Sequence, residues 1–443
     1  MLQRRIRPRI QIRLRTRTRP RIRSAATSTV ALALAAIAAA PGTAQAVGPR
    51  LVMLPGATMP LGLPGFGDIV ADDAAHSVFL SSGAAGGGVE KVDYTGVVSA
   101  TLNHERGADG MVLSADGKTL YVALITGDAV VAIDTATFTE KARYALPAHS
   151  CPTNLARTGP DVWIGYGCAS ESEPAPESES ESEPQSASGT VGVGAGVAVL
   201  ATDAASPKVV LGKQDTKAGV RYSTAPILAA GESSVSGATP GELVVSQPGQ
   251  IANDLTVYAT TAGAAPSLTL IRSVRRGGGE LADLAVSTAS ASASGTALGA
   301  ASGVAPGTAS GVASGTASDT ASGAAAGTAS GVAFAASGSQ DTVDAFTTPG
   351  LAAAGQYQSG LGPDALALSA DGTELAATTS IPESPVYVWR VGTAAPIADY
   401  TLPLAGAPAP RGLAFSGDGS MLFLVTEPTS GSGAPTLQVL RLQ

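Results

Sequence analysis

The sequence predicts an all-β chain built from a repeated four-stranded unit, and three observations predict it. First, one phrase occurs three times: Gly110-Met-Val-Leu-Ser-Ala-Asp-Gly-Lys-Thr-Leu-Tyr-Val-Ala123, Ala365-Leu-Ala-Leu-Ser-Ala-Asp-Gly-Thr-Glu-Leu-Ala-Ala-Thr378 and Gly412-Leu-Ala-Phe-Ser-Gly-Asp-Gly-Ser-Met-Leu-Phe-Leu-Val425. Each copy is an apolar run, a Ser-x-Asp-Gly turn and a second apolar run, and Asp-Gly supplies the positive-φ residue that a tight hairpin needs. Second, the copies are regularly spaced: 47 residues separate Asp371 from Asp418, and a hairpin recurring at such a period is one supersecondary unit repeated. Third, short strands with period-2 alternation dominate, as in Ala129-Val-Val-Ala-Ile-Asp134, and no long amphipathic helical pattern competes with them.

The remaining elements follow in order. Two segments break the rhythm. Residues 170–195 open on Ser170-Glu-Ser-Glu-Pro-Ala-Pro-Glu, a charged, proline-bearing stretch without large apolar side chains, which predicts disorder. Residues 288–330 repeat Gly-Thr-Ala-Ser and Gly-Val-Ala-Ser variants and read as a flexible low-complexity insertion. With both set aside, the 255 residues from Asp116 to Asp371 divide into four steps of 46.5, so three degenerate repeats lie between those copies. Their strands are expected at 154–156, 162–167, 196–200 and 209–211; at 226–230, 242–246, 255–258 and 267–271; and at 281–287, 331–336 and 342–347. A further unit ahead of the first copy fits at 68–71, 77–80, 89–93 and 97–102. The result is seven repeats of four strands, the blade length of a seven-bladed β-propeller. The last repeat stops after three strands, whereas residues 50–54 at the other end have nothing local to pair with. Adding that N-terminal strand to the last blade would close the ring and cover both exposed edges.

Residues 1–23 contain ten arginines and no acid, followed by an apolar run at 30–40 and the ending Ala44-Gln-Ala46. Basic region, short apolar region and Ala-x-Ala form the pattern of a cleaved secretory signal, with cleavage expected after Ala46. The run is too short to span a bilayer, which needs about 20 residues. Arg4-Arg5 lacks the apolar context of a twin-arginine signal. The domains are therefore a signal peptide at 1–46 and a propeller at 47–443 carrying the two insertions, in a secreted protein. Of the 27 Lys and Arg, 17 then remain against 35 acids. So acidic a chain repels nucleic acid and anionic membrane surfaces.

The stretch Leu113-Ser-Ala-Asp-Gly-Lys-Thr-Leu-Tyr-Val-Ala-Leu124 with Asp128-Ala-Val-Val-Ala-Ile-Asp134 resembles the YVTN-type, YncE-like seven-bladed propeller repeat. The whole of 50–443 is similar to secreted actinobacterial propeller proteins, some of which carry Ig-like repeats after the propeller; none follows here. The resemblance implies the fold and is poor for function, because propellers host enzymes, adhesins and scaffolds alike.

Residues that approach each innermost strand line one end of a propeller channel. By register these are Asp109, Asn154, Asp283, Asp364 and Arg411, with His104, Arg106 and His149 on the approach loops. Acids, two histidines and two arginines at loop ends could hold a polar ligand, although short polar residues at such junctions also cap backbone groups. His104 beside Glu105 has the composition of an acid–base pair, but adjacent residues on a strand point to opposite sides. No nucleophile elbow, Cys/His metal spacing, phosphate loop or dinucleotide fingerprint occurs, and the Asp-Gly turns lack the ligand spacing of a calcium loop, so no cofactor and no metal is expected. Cys151 and Cys168, the only cysteines, read as a disulfide in an exported chain, stapling a hairpin at the root of the acidic insertion. The functional expectation is a monomeric, non-catalytic extracellular binding or scaffold module. Its partner would be a protein or cell-envelope polymer, with no nucleic acid and no membrane span in the mature chain. The alternative is a lactonase-like hydrolase using the channel-mouth residues, which requires His104, Arg106 and Arg411 to converge.

Overall fold

The structure, a computed structural model, describes residues 50–168, 193–231, 241–249, 253–263, 265–276, 279–287, 331–379, 381–382, 384–402, 406–429 and 433–443. The signal peptide expected at 1–46, residues 170–192 of the first expected insertion and the expected insertion 288–330 lie outside them. Among the described residues regular structure is entirely strand, and no helix is long and apolar enough to cross a membrane.

The chain opens with β1 (Met53–Pro60). The first blade is β2 (Ile69–Asp72), β3 (Ser77–Ser81), β4 (Val89–Asp93) and β5 (Val98–Leu102); the second is β6 (Ala108–Leu113), β7 (Thr119–Leu124), β8 (Ala129–Asp134) and β9 (Thr139–Ala145). The third holds β10 (Pro152–Thr158), β11 (Asp161–Tyr166), β12 (Gly196–Leu200) and β13 (Val209–Val210), and the fourth β14 (Ile227–Gly231), β15 (Glu242–Ser246), β16 (Asn253–Thr261) and β17 (Ser267–Arg276). The fifth holds β18 (Leu281–Ser287), β19 (Gly331–Ser337), β20 (Thr342–Thr348) and β21 (Ala353–Gln358), and the sixth β22 (Pro363–Leu368), β23 (Glu374–Thr379), β24 (Pro385–Arg390) and β25 (Pro396–Thr401). The seventh has three consecutive strands, β26 (Ala407–Phe415), β27 (Met421–Glu427) and β28 (Thr436–Leu442), and takes β1 as its fourth. All seven sheets are antiparallel, six in chain order and the seventh in the order β26-β27-β28-β1, and the seven innermost strands pack in a ring in which β26 meets β2. The protein is therefore a seven-bladed β-propeller, closed as the unpaired N-terminal strand requires.

The central strands are apolar on both faces because each blade is covered on both sides. Val130 and Ala132 of β8 pack against the third blade, whereas Ala129, Val131 and Ile133 pack against the first. The alternation read in this strand thus distributes side chains between two dry interfaces, and only its last residue is incompletely buried. Seven hydrophobic clusters result, one in each gap between neighbouring blades. Outer strands such as β9 keep one face in solvent and show the ordinary polar–apolar alternation.

The three Ser-x-Asp-Gly copies form one turn built three times. Ser114, Ser369 and Ser416 donate to Asp116, Asp371 and Asp418 over 2.7, 2.6 and 2.6 Å. Each aspartate also accepts the amide two residues on, from Lys118, Thr373 or Ser420. Gly117, Gly372 and Gly419 have φ of 68°, 69° and 69°, the left-handed conformation that costs glycine nothing. These hydrogen bonds, the serine's first, hold the three carboxyls below the usual range. The turns join first to second strands and so lie at one end of the propeller. The N-terminal ends of the innermost strands meet at the other end, the channel mouth.

Inner strands approach closely enough that a Cβ on Gly110 would collide with the carbonyl oxygen of Thr153 in the next blade. Backbone cannot yield as a side-chain tip can. Gly110→Ala is expected to lower stability by about 1–3 kcal/mol, measured by denaturant titration. Gly194→Ala, whose added methyl meets nothing within 4 Å, is expected to leave it unchanged.

Candidate functional site

Five of the seven inner strands break register near their start: between Ala108 and Met111, Pro152 and Asn154, Leu281 and Asp283, Pro363 and Ala365, and Pro408 and Leu413, whereas β2 and β14 pair without a break. Such bulges re-aim side chains at barrel rims. Asp109, Asn154, Asp283, Asp364 and Arg411 all lie in or beside one. The sequence places these residues ahead of the strands; the structure places them inside, because pairing resumes on the far side of each irregularity. Arg411 sits in the widest break and takes φ of 57°, a conformation uncommon for a long side chain.

Arg411 crosses the channel. Its Nη2 donates to Asp109 of the second blade at 2.5 Å and its Nη1 to Asn154 of the third at 3.3 Å. Asp68 of the first blade and Asp283 of the fifth also act on this guanidinium. Burial works against its charge, but the three carboxylates overcome that and raise the group above its ordinary pKa. Asp68 and Asp283 are built alike. Asp68 accepts Ile69 N at 2.9 Å and, across the blade gap, Met111 N at 2.7 Å. Asp283 accepts Leu284 N at 2.8 Å and, across its own gap, Leu366 N at 2.8 Å. Burial dominates both nonetheless, pushing Asp68 up to about 6 and Asp283 up to about 7. Three carboxylates share one guanidinium, so the channel is net negative when all are ionised.

Beside this network is a cavity of about 350 Å³, with Ile125, Ile227, Pro248, Ala282, Asn154 and Arg411 in its wall. The Cys151–Cys168 disulfide, with Cα atoms 5.0 Å apart, closes one side. Asp128 organises the loop that carries it, accepting the amides of His149 (2.8 Å), Ser150 (2.8 Å) and Cys151 (2.9 Å). Those interactions support the left-handed backbone at His149 and Cys151. Beyond Cys168 the described chain resumes at Val193, which packs between the second and third blades, and Ala195 bridges to Tyr222.

Of the eight residues expected from sequence, Asn154 and Arg411 line the cavity, and Asp109 and Asp283 stand behind Arg411. Asp364 is buried at the corresponding position of the sixth blade. His104, Arg106 and His149 are exposed on the approach loops and take no part in the cavity wall. Glu105 turns inward from the approach loop and pairs with Arg143 at 2.8 Å while His104 stays in solvent. Burial raises the Glu105 carboxyl despite that guanidinium. Two contributors were missed. Asp68 has the same Asp-apolar-apolar context as Asp283 and Asp364, and aligning the first unit on that position would have found it. Asp128 acts through its neighbours' amides and has no comparable sequence signal.

No protein-family model and no curated protein matches the chain. Among solved structures the chain is similar to the β-propeller domain of Myceliophteria thermophila Cps50 (Swd1), with a TM-score of 0.55 and 11% identity over 88% of this chain and all of that one. At that identity the likeness is one of fold.

Two measurements probe the channel charges. Arg411→Met leaves Asp109, Asp68 and Asp283 without their countercharge, so a loss of about 3–5 kcal/mol is expected at pH 8. The loss should shrink at pH 5, where Asp68 and Asp283 bind protons. Asp283 also links stability to pH in the wild type. Its folded pKa of about 7 exceeds the ordinary 3.8, so between those values the folded state binds a proton the unfolded chain has lost. Stability from this group therefore falls as pH rises from about 4 to about 7. Asp283→Asn should show a shallower decline over that window in chemical denaturation.

Proposed function

We propose that this protein is a non-catalytic binding module of the secreted, YVTN-type propeller kind, engaging a protein or cell-envelope polymer at its channel-mouth face. The observation that carries the reading is the cavity at that face, backed by Arg411, together with the separation of His104 and Arg106 from it. A hydrolase would need a convergent nucleophile or acid–base pair; a binding surface needs a rigid rim and accessible anchors. Leu361 and Ile381, 62% and 40% exposed, supply anchors. They flank the paired residues Pro363 and Thr379 on adjacent mouth loops of the sixth blade, and neighbouring exposed apolar side chains mark contact surfaces. The disulfide and the leader-like composition of residues 1–46 fit an oxidising, extracellular setting.

Affinity capture tests the reading. The purified protein should retain a component of cell-envelope or culture-supernatant fractions. Leu361→Asp with Ile381→Asp should lose it, and Lys118→Glu at the opposite end should keep it. Loss on Lys118→Glu alone, or lactone turnover abolished by His104→Ala, would overturn the proposal.

A further inference from the structure

The charge arrangement around the cavity narrows what can occupy it, an inference that rests on the channel mouth being the binding face. Arg411 forms part of the wall and has donors to spare. Nη1 and Nη2 each make one hydrogen bond, and Nε has no partner among the described residues. No carboxylate contributes to the wall. The acids stand behind the guanidinium: Asp109 paired with it, Asp68 and Asp283 with their oxygens taken by backbone amides, and Asp364 at the equivalent position of the sixth blade.

An entering cation therefore meets the guanidinium first and finds no carboxylate to receive it. An entering anion meets a guanidinium whose charge is already outweighed by three carboxylates within its electrostatic reach. An uncharged acceptor suffers neither repulsion, and a carbonyl oxygen accepts from Arg411 without adding charge to a low-dielectric channel. Most of the remaining wall, Ile125, Ala225, Ile227, Pro248, Ala282 and the disulfide, is apolar, and its other polar members, Thr153, Asn154 and Thr224, are uncharged. At about 350 Å³ the space lies at the lower end of the range for ligand pockets.

We propose that the cavity binds an uncharged apolar group bearing a carbonyl acceptor, as an apolar peptide unit does, with Arg411 donating to the carbonyl and the carboxylates behind it excluding acids. The acids thus act in specificity: they hold the guanidinium in place and, when ionised at pH 8, set a field that disfavours a carboxylate ligand.

Three leucine derivatives of nearly equal shape provide the test on the full-length protein, with binding followed by ligand-detected NMR: N-acetyl-leucine methylamide (uncharged), N-acetyl-leucine (anionic) and leucine methylamide (cationic). At pH 8 the uncharged probe is expected to bind at least about tenfold more tightly than either charged one, equivalent to about 1.4 kcal/mol. The anionic probe should gain affinity between pH 8 and pH 5, as Asp68 and Asp283 take up protons. Ala282→Leu fills the wall and should abolish binding with the melting temperature retained. Tighter binding of either charged probe at pH 8, or full binding of the uncharged probe to Ala282→Leu, would overturn the assignment. So would silence from all three probes while partner capture still depends on Leu361 and Ile381; that result leaves the binding-module reading standing and removes this one alone. Where the methylamide displaces a captured partner, the carbonyl belongs to that partner; where it binds without displacement, the cavity serves a free small ligand of the same chemistry.

Discussion

Closure of the ring is the constraint on which the other features depend. Each blade is a four-stranded sheet with two apolar faces, and such a sheet is stable only between two neighbours. Six of the seven gaps join blades that follow one another along the chain; the seventh joins the last blade to the first. The chain secures that gap by lending the last blade its N-terminal strand. β1 pairs with β28 from Met53↔Leu442 to Pro60↔Thr436, Leu51 donates to Ile397 of the sixth blade, and Val52 and Gln443 exchange backbone hydrogen bonds. Asp73 of the first blade accepts Gly417 N of the seventh at 2.6 Å, fastening the same gap from the turn end. Leu61 and Leu63, just beyond β1, enter the cluster between these two blades.

The candidate site is a product of that closure. Arg411 belongs to the seventh blade, Asp68 to the first, Asp109 to the second, Asn154 to the third and Asp283 to the fifth. No local segment contains more than one of them, and only a closed ring brings them together. A half-buried guanidinium facing three carboxylates is costly unless its partners are fixed by the scaffold. The inter-blade amides of Met111 and Leu366 fix two of them. The same hydrogen bonds thus set blade spacing and hold the charges that govern the channel.

Architecture was legible in the sequence because it follows from local chemistry repeated many times. The Ser-x-Asp-Gly turn is specified by four residues, and the apolar runs flanking it can form little other than strands buried on both faces. The unpaired strand expected at 50–54 signalled closure by its lack of a local partner; in the structure the closing strand lies further along, at Met53–Pro60. The site was legible only in part. Register located Asp109, Asn154, Asp283, Asp364 and Arg411, but the bulges that turn them toward the channel have no reliable signature in one sequence. Asp68 escaped because the first unit lacks the turn phrase used to align the others. His104 and Arg106 were grouped with Arg411 on sequence grounds, yet loop geometry carries them to the rim.

The most direct test of this account removes the closing strand. In calorimetry, a chain starting at residue 61 should melt well below the chain starting at residue 48, because the edge of β28 and the outer face of the seventh blade are left open. An unchanged melting temperature with a single transition would contradict the claim that ring closure by β1 holds the propeller and its channel together.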